Sequence, residues 1–377
     1  MRLLADENMP LLAEFFGDFG ELRALPGRHM SPADVQAADV LLVRSVTPVS
    51  RELVAGSSLR WVGTATIGTD HIDKAALSEQ GIALASAPGC NARAVGEYVV
   101  TALAMLAHEQ AWLPQQRTLG IIGLGNTGSA VARLAAAMGF RLLGCDPAVE
   151  LPGVPARTLP ELLAEADILT LHVPLLKDGP HATRNLLGEA ELSALRSGSI
   201  LFNCSRGSVV DNAALDRLLA TRPGQLTAIL DVWEGEPRIS ASLLEKVHTG
   251  TPHVAGYSQE GKWRGTAMLY QRLCEFLGQP ATVSLESVQP AGLPAPLTVD
   301  AALSAPAVLA SVLLQACPLR RDDAALRASM NAADPAAAFD ALRKNYPPRR
   351  EFTAHRLVLP ADHSAWPVLS ALGFRPG

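Results

Sequence analysis

Short apolar runs alternate with helical patterns along the first part of the chain. The runs "RLLA" (residues 2–5), "VLLVRS" (40–45), "RWVGTAT" (60–66) and "IALASAP" (82–88) are rich in Leu, Val and Ile and are separated by segments of helical period. Strands that alternate with helices are typical of parallel βα units. The sequence therefore predicts a parallel sheet for this region.

Capping residues place helix starts between these runs. Ser31 can cap a helix whose first position is Pro32, because proline suits the first turn, where its missing N–H is not needed. Asp70 is predicted as a second cap, with His71 in the first helical turn. His71 is accordingly interpreted as a structural residue rather than a catalytic one.

A second series of strand-like runs begins at residue 118. It consists of "TLGIIGLG", "RLLGCD", "DILTLHVP", "SILFNCS" and "LTAILDVW", each followed by a loop and a helical pattern. Two doubly wound α/β domains fit this arrangement better than one.

Two long helical patterns set the domain boundaries. Residues 91–110 predict a bridging helix, and residues 260–278 predict a helix that returns the chain to the first domain. The last ninety or so residues combine alanine-rich helical segments with one strand-like run, "FTAHRLVLP", and predict a small α+β unit. Oligomerisation is favoured for this unit over regulatory ligand binding. The predicted domains are 1–92 with 257–280 (substrate domain), 93–256 (nucleotide-binding domain) and 286–377 (C-terminal domain).

Composition narrows the function classes. The 377 residues are 48% hydrophobic and 18% charged with a net charge of -5, so the chain can fold into several cores and lacks the basic footprint of a nucleic-acid-binding protein. Five widely spaced cysteines argue against a disulfide framework and a structural zinc site. Charges interrupt the N-terminal apolar run, and no later run is long enough to span a membrane. A cytoplasmic protein without a metal is expected.

A glycine-rich motif predicts a dinucleotide site. Gly123-x-Gly125-x-x-Gly128 follows an apolar strand and opens an amphipathic helix, so a pyrophosphate could approach the helix N-terminus closely. Asp146, at the end of the next strand, could accept hydrogen bonds from both ribose hydroxyls and repel a 2′-phosphate. This context favours NAD over NADP.

Three residues with catalytic chemistry follow later strands. Arg206, Glu236 and His253 each come after a run predicted to belong to the nucleotide-binding sheet. All three should therefore emerge at its carboxyl edge, where ligands bind in such folds. Separately, they could be an ion-paired arginine, a solvated turn residue and a packed loop histidine; together they favour a catalytic site.

These motifs, in this order, resemble the D-2-hydroxyacid dehydrogenase family. Longer peptides, such as "GTATIGTDHID" and "PHVAGYSQEGKWRGT", extend the resemblance over essentially the whole chain to a branch that acts on a phosphorylated 2-hydroxy acid. The resemblance implies a flavodoxin-like substrate domain, a Rossmann NAD domain and a C-terminal dimerisation domain. It also implies that His253 is the general base, that Glu236 stabilises the imidazolium and that Arg206 binds the substrate carboxylate.

The resemblance also implies binding residues. The cofactor NAD is expected to contact Gly123, Gly125, Asn126, Thr127, Gly128, Asp146, Val173, Cys204, Asp231 and Gly256. The substrate is expected to contact Arg44, Ser45, Thr66 and Tyr257, and Arg44 would bind its phosphate. The basic segment "RKNYPPRR" (343–350) is the alternative phosphate site, contributed by a partner subunit.

Two other functions stay open at this point. The first is a dehydrogenase of another small or phosphorylated 2-hydroxy acid, such as 3-phosphoglycerate. The second is an NADH-binding regulatory protein, against which the set of Arg206, Glu236 and His253 argues.

Overall fold

The computed structural model describes residues 1–377 and divides into two compact units. The first comprises Met1–Asn91 with Ser258–Gly292, and the second comprises Ala92–Tyr257 with Leu293–Gly377. A separate C-terminal domain stays a prediction, because here the residues from Leu293 onward belong to the same unit as the nucleotide-binding sheet.

Strands and helices are numbered in chain order. The strands are β1 (Arg2–Asp6), β2 (Glu21–Leu25), β3 (Val40–Val43), β4 (Trp61–Thr64), β5 (Ala83–Ser86), β6 (Thr118–Ile122), β7 (Arg141–Cys145), β8 (Ile168–Leu171), β9 (Ser199–Asn203), β10 (Leu226–Leu230), β11 (Thr249–Gly250), β12 (Leu297–Thr298), β13 (Arg356–Val358) and β14 (Arg375–Pro376). The helices are α1 (Leu12–Phe16), α2 (Pro32–Val35), α3 (Arg51–Val54), α4 (Lys74–Glu79), α5 (Ala92–Glu109), α6 (Asn126–Ala137), α7 (Leu159–Glu165), α8 (Glu189–Ser193), α9 (Asn212–Thr221), α10 (Ala241–Lys246), α11 (Gln259–Leu277), α12 (Leu285–Val288), α13 (Ala305–Ala316), α14 (Leu319–Ser329), α15 (Pro335–Lys344) and α16 (Trp366–Leu372).

The first unit contains a five-stranded parallel sheet in the order β2-β1-β3-β4-β5. This is the flavodoxin-like order, so the predicted fold class of this region is confirmed. Strand β2 was not predicted, because its residues are exposed or half-buried and form no continuous apolar run. Helix α11 follows the predicted return helix and packs Leu269, Tyr270 and Leu273 into the same core as Trp61 of β4.

One predicted cap is confirmed and one is wrong. Ser31 and Asp34 form a capping box at the start of α2. The second helix begins at Lys74, and its cap is Asp73, which accepts a hydrogen bond from the Ala76 N–H at 2.9 Å. Asp70 is not a cap because residues 70 and 71 lie in a turn, closed by a hydrogen bond from the Ile72 N–H to the Thr69 carbonyl oxygen at 3.0 Å, before the helix begins.

The second unit contains a six-stranded parallel sheet in the order β11-β10-β9-β8-β6-β7. A single parallel bridge between Gly144 and Ala156 continues the sheet beyond β7, where the third strand of a Rossmann domain lies. The strands β6, β8 and β9 are buried throughout, as expected for a sheet covered on both faces. The predicted Rossmann domain is confirmed.

The C-terminal region packs against the helices of this sheet. Val312 of α13, Leu369 of α16 and Phe374 belong to the same buried cluster as Leu103 of α5 and Val131 of α6. Its strands form a small parallel sheet in the order β12-β13-β14. Only residues 356–358 of the predicted strand "FTAHRLVLP" are extended within that sheet. No helix of the protein combines the length and the apolar character that crossing a membrane requires.

Candidate active site

The loop between β6 and α6 has the tight form that its glycines predict. Gly123 has a φ of +89°, a conformation that glycine adopts at no steric cost. A Cβ on Gly128 would lie 1.9 Å from the Gly123 carbonyl oxygen, whereas Gly125 faces open space. The turn therefore leaves its backbone accessible beside the start of α6, where a phosphate is stabilised by N–H groups and the helix dipole.

The Asp146 carboxylate fixes this turn from the end of β7. Its Oδ2 accepts a hydrogen bond from the Leu124 N–H at 2.7 Å, and its Oδ1 accepts from the N–H groups of Ala148 and Val149 at 2.9 and 3.0 Å. Each carboxylate oxygen has two lone pairs, so acceptor capacity remains for a ligand. The support of the glycine turn by Asp146 was not predicted.

His253 and Glu236 form a hydrogen-bonded pair. His253 Nδ1 lies 2.8 Å from Glu236 Oε2, and Glu236 Oε1 accepts a hydrogen bond from the Trp233 N–H at 2.6 Å. Burial raises the pKa of Glu236, but the charge of His253 and the two hydrogen bonds outweigh it, so the pKa lies below its ordinary value. The ionised carboxylate holds the proton of His253 on Nδ1, which leaves Nε2 as the nitrogen that can accept a proton.

Buried Asp231 holds the loop that carries His253. Its Oδ1 accepts hydrogen bonds from Thr251 Oγ1 at 2.6 Å and the Val254 N–H at 2.8 Å, and its Oδ2 accepts from the Ala255 N–H at 3.0 Å. Its carbonyl oxygen accepts from the His253 N–H at 2.7 Å. These bonds support the positive φ of His253, +57°, a conformation that few non-glycine residues adopt. Burial raises the pKa of Asp231, although the charge of His253 and the hydrogen bonds oppose the shift.

Arg206 lies in a turn that presses against the Glu236 loop. The side chain is half-buried, and its Nη1 donates to the Ser205 carbonyl oxygen at 2.8 Å. A Cβ on the adjacent Gly207 would lie 2.0 Å from the Trp233 carbonyl oxygen. The structure therefore brings the Arg206 turn and the pair of Glu236 and His253 to one edge of the sheet.

Cys204 and the remaining predicted cofactor-binding residues belong to the same unit. Burial raises the pKa of the Cys204 thiol well above its usual range. A protonated thiol is a poor nucleophile, so the structure supports a backbone contact rather than covalent chemistry at this position.

No group of three or more His, Cys, Asp or Glu side chains is arranged to hold a metal ion. The other residues lie in loops after β8 and β11 or at the start of α6: Val173, Gly256, Asn126 and Thr127.

The predicted substrate-binding residues of the first unit follow β3 and β4. Arg44 is half-buried and Ser45 is exposed, in a turn closed by a hydrogen bond from the Thr47 N–H to the Arg44 carbonyl oxygen at 3.0 Å. Thr66 Oγ1 lies 2.8 Å from Thr64 Oγ1. This edge therefore presents a guanidinium and hydroxyl groups.

Tyr257 contacts a residue of segment 343–350, which was given above as the alternative phosphate site. Interaction with its side chain helps to raise the pKa of Arg343 of α15, which lies in the basic segment that was considered as a contribution from a partner subunit. The structure places this segment against the active-site loop of its own chain. No local pattern could have revealed the contact, because the two residues lie far apart in the sequence.

Comparisons with known proteins agree with this geometry. A family model described as "D-isomer specific 2-hydroxyacid dehydrogenase, NAD binding domain" matches residues 101–255, and a model of a domain of unknown function matches residues 294–373. Erythronate-4-phosphate dehydrogenase of Pseudomonas syringae pv. tomato is 47% identical over 365 residues, which are 96% of each chain. The chain belongs to the erythronate-4-phosphate dehydrogenase family.

Other relatives agree with this placement. The erythronate-4-phosphate dehydrogenase of Azotobacter vinelandii is 46% identical over 380 residues, with 100% of both chains covered. The crystal structure of D-lactate dehydrogenase from Aquifex aeolicus, complexed with NAD and lactic acid, has a TM-score of 0.63 and 25% identity, and the match covers 74% of this chain and 96% of that one. The predicted class, an NAD-dependent dehydrogenase, is confirmed. The remaining quarter or so of this chain lies outside the match with the D-lactate dehydrogenase.

Proposed function

We propose that the protein oxidises 4-phospho-D-erythronate at C2 to (R)-3-hydroxy-2-oxo-4-phosphooxybutanoate, a step in the synthesis of pyridoxal 5′-phosphate (vitamin B6). The names of the relatives support this substrate. The observation that carries the proposal is the hydrogen bond between His253 Nδ1 and Glu236 Oε2 at 2.8 Å. It leaves an imidazole nitrogen ready to act as the base that alcohol oxidation requires.

The proton and the hydride leave the substrate by different routes. His253 Nε2 takes the proton of the C2 hydroxyl while the C2–H bond breaks with its electron pair and the C2–O bond becomes a carbonyl. When bound, NAD supplies the acceptor for that hydride. Glu236 stabilises the imidazolium that forms, because an ionised carboxylate favours the charged form of its neighbour.

Arg206 binds the substrate carboxylate and the developing carbonyl oxygen. Its guanidinium is planar and permanently charged, and its paired N–H groups match a carboxylate. The turn that carries Arg206 is packed against the Glu236 loop, which supports a site in which Arg206 and Glu236 act on the same substrate.

The edge of the six-stranded sheet fits NAD. The open turn at Gly125 and the steric need for glycine at 123 and 128 suit a pyrophosphate, and Asp146 suits the ribose hydroxyls. The full set that would hold NAD is Gly123, Gly125, Asn126, Thr127, Gly128, Asp146, Val173, Cys204, Asp231 and Gly256. The substrate would be held by Arg44, Ser45, Thr66 and Tyr257.

The assembly is proposed to be a homodimer formed through the C-terminal region. An apolar groove of about 560 Å³ there is lined by Leu303, Ala307, Ala310 and Leu314 among others, and Val358 of β13 is 53% exposed. Light scattering should report a dimer for the wild type and a monomer for Leu314→Asp. A monomeric wild type would contradict this assembly.

The five free cysteines suit a reducing compartment, and the cytoplasm is the proposed location.

A substrate panel tests the reaction. NADH absorbance is followed with 4-phospho-D-erythronate, erythronate, 3-phosphoglycerate and D-lactate. The highest kcat/KM is expected for 4-phospho-D-erythronate. A higher value for 3-phosphoglycerate or D-lactate would replace the proposed substrate, and NADH binding without turnover of any of them would favour a regulatory protein.

A further inference from the structure

Helix α15 lies with one face against the active-site core. Phe339 is fully buried in the cluster that includes Leu230, just before Asp231, and Trp233, two residues after it. Arg343 is four residues after Phe339, so it lies on the same face of the helix, one turn further along. The neighbouring Lys344 is exposed.

The chain after α15 is fixed to the His253 loop. Buried Arg349 donates from Nη2 to the Ala255 carbonyl oxygen at 2.5 Å. The Tyr346 ring meets the Tyr257 ring edge-on, with centroids 5.7 Å apart at 87°, and the Tyr346 hydroxyl donates to Asp322 at 2.7 Å. This second set of contacts holds Arg343 beside the active site.

Arg343 is a half-buried cation with unused hydrogen-bonding capacity. Burial lowers its pKa, but interactions with Tyr257 and the charges of Glu236 and Asp340 outweigh burial, so the pKa is raised and the guanidinium stays charged. Its Nε is buried and has no hydrogen-bond partner. A buried donor without a partner is costly, so Nε favours a ligand that brings an acceptor to this position.

We propose that Arg343 determines specificity in the substrate site by binding the phosphate group of the substrate together with Tyr257. The proposal rests on the proposed function, in which Arg206 already binds the carboxylate. A guanidinium matches phosphate geometry with several N–H groups at once. Residue 343 lies in the segment matched by the second family model, and the matched D-lactate dehydrogenase was crystallised with lactic acid, which carries no phosphate.

The test compares substrates with and without the phosphate. Arg343→Ala should raise the KM for 4-phospho-D-erythronate about 10- to 100-fold, the loss expected for a charge-assisted hydrogen bond, and leave kcat nearly unchanged because a remote phosphate is bound equally in ground and transition states. The KM for erythronate should not change. Arg343→Lys keeps the charge but lacks the planar guanidinium, so its KM for 4-phospho-D-erythronate should lie between those of the wild type and Arg343→Ala. Lys344→Ala, at the exposed neighbour, is the matched control.

A second measurement tests phosphate binding by Arg343 independently of the proposed reaction. Inorganic phosphate should bind the wild type more tightly than Arg343→Ala in calorimetry, whichever hydroxy acid is the substrate. Equal phosphate binding by both proteins, or an equal loss of activity with both substrates, would overturn the phosphate role and make Arg343 a support for Tyr257 and Glu236. A wild type that oxidises neither erythronate compound would instead refute the proposed function.

Discussion

The two parallel sheets share one architecture but differ at their carboxyl edges. At the six-stranded sheet, the side chains of Glu236, His253 and Asp231 are held by hydrogen bonds from the chain itself. At the five-stranded sheet, the corresponding loops present Arg44 and hydroxyl groups, and no ion pair fixes Arg44.

This difference indicates a division of labour. Groups that move protons must be positioned before the reaction, because reorganisation during it would raise the barrier. Groups that only recognise the substrate need no such fixation. Substitutions at the six-stranded edge should therefore lower kcat, and substitutions at the five-stranded edge should mainly raise KM.

The largest effect is expected for His253→Asn. Removing a general base typically costs about 100- to 10,000-fold in rate, and NADH binding, followed by fluorescence, should stay near the wild-type level. The matched control is His248→Asn, since His248 is an exposed histidine just before β11 that also pairs with a carboxylate, that of Glu109. Turnover of His253→Asn near the wild-type rate would show that His253 is not the general base.

A smaller loss is expected for Glu236→Gln. Losing a charge-assisted hydrogen bond should lower kcat roughly 10- to 100-fold, and Glu234→Gln, in the same loop and exposed, is the control.

The difference in stability between the wild type and Glu236→Gln should depend on pH. Because folding lowers the pKa of Glu236 from its ordinary 4.5, its ionised form stabilises the fold above that pH, and the contribution is lost as the pH falls below it. Urea unfolding should show wild type more stable than Glu236→Gln at pH 7, with the gap closing at acid pH. A gap that does not narrow at all as the pH is lowered below 4.5 would contradict the pairing.

Asp146→Asn should alter cofactor preference at the same edge. Loss of the negative charge that repels a 2′-phosphate should shift the ratio of kcat/KM for NAD and NADP by about tenfold. Asp167→Asn is the control, because Asp167 also binds a backbone N–H, that of Thr118, but at the opposite end of the sheet. An unchanged ratio would leave Asp146 with only its role in the glycine turn.

The smallest effect is expected at the five-stranded edge. Arg44→Ala should raise the KM for 4-phospho-D-erythronate about fivefold, as a partly exposed charge contributes about 1 kcal/mol, with kcat unchanged. Arg51→Ala, at an exposed arginine paired with Glu79, is the control. If Arg44→Ala lowered kcat as far as Glu236→Gln does, the division between the two edges would be wrong.

Local patterns predicted much of this architecture. Strands β6, β8 and β9 are buried and mostly apolar, and the glycine turn requires glycine at positions 123 and 128. Both features can therefore be recognised from neighbouring residues. Strand β2 was not predicted because its charged residues interrupt the apolar ones and none of its residues is β-branched. The cap predicted at Asp70 is wrong because a turn closed between Thr69 and Ile72 precedes the helix, which Asp73 caps instead.

The candidate site was predictable only where residues follow strands. Arg206, Glu236 and His253 could be placed at one edge because parallel strands end together. The contact of Arg343 with Tyr257 and the hydrogen bond from the Leu124 N–H to Asp146 depend on packing between distant segments, which neither periodicity nor motif spacing encodes.

The most direct test of the account follows the C2 hydrogen. 4-Phospho-D-erythronate with deuterium at C2 is incubated with NAD and the wild-type protein, and the nicotinamide product is examined by mass spectrometry and NMR. The account predicts that the deuterium appears at C4 of the nicotinamide ring and that His253→Asn slows its transfer without changing its destination. Deuterium released to solvent, or retained at C2 while NAD is reduced, would contradict hydride transfer from C2.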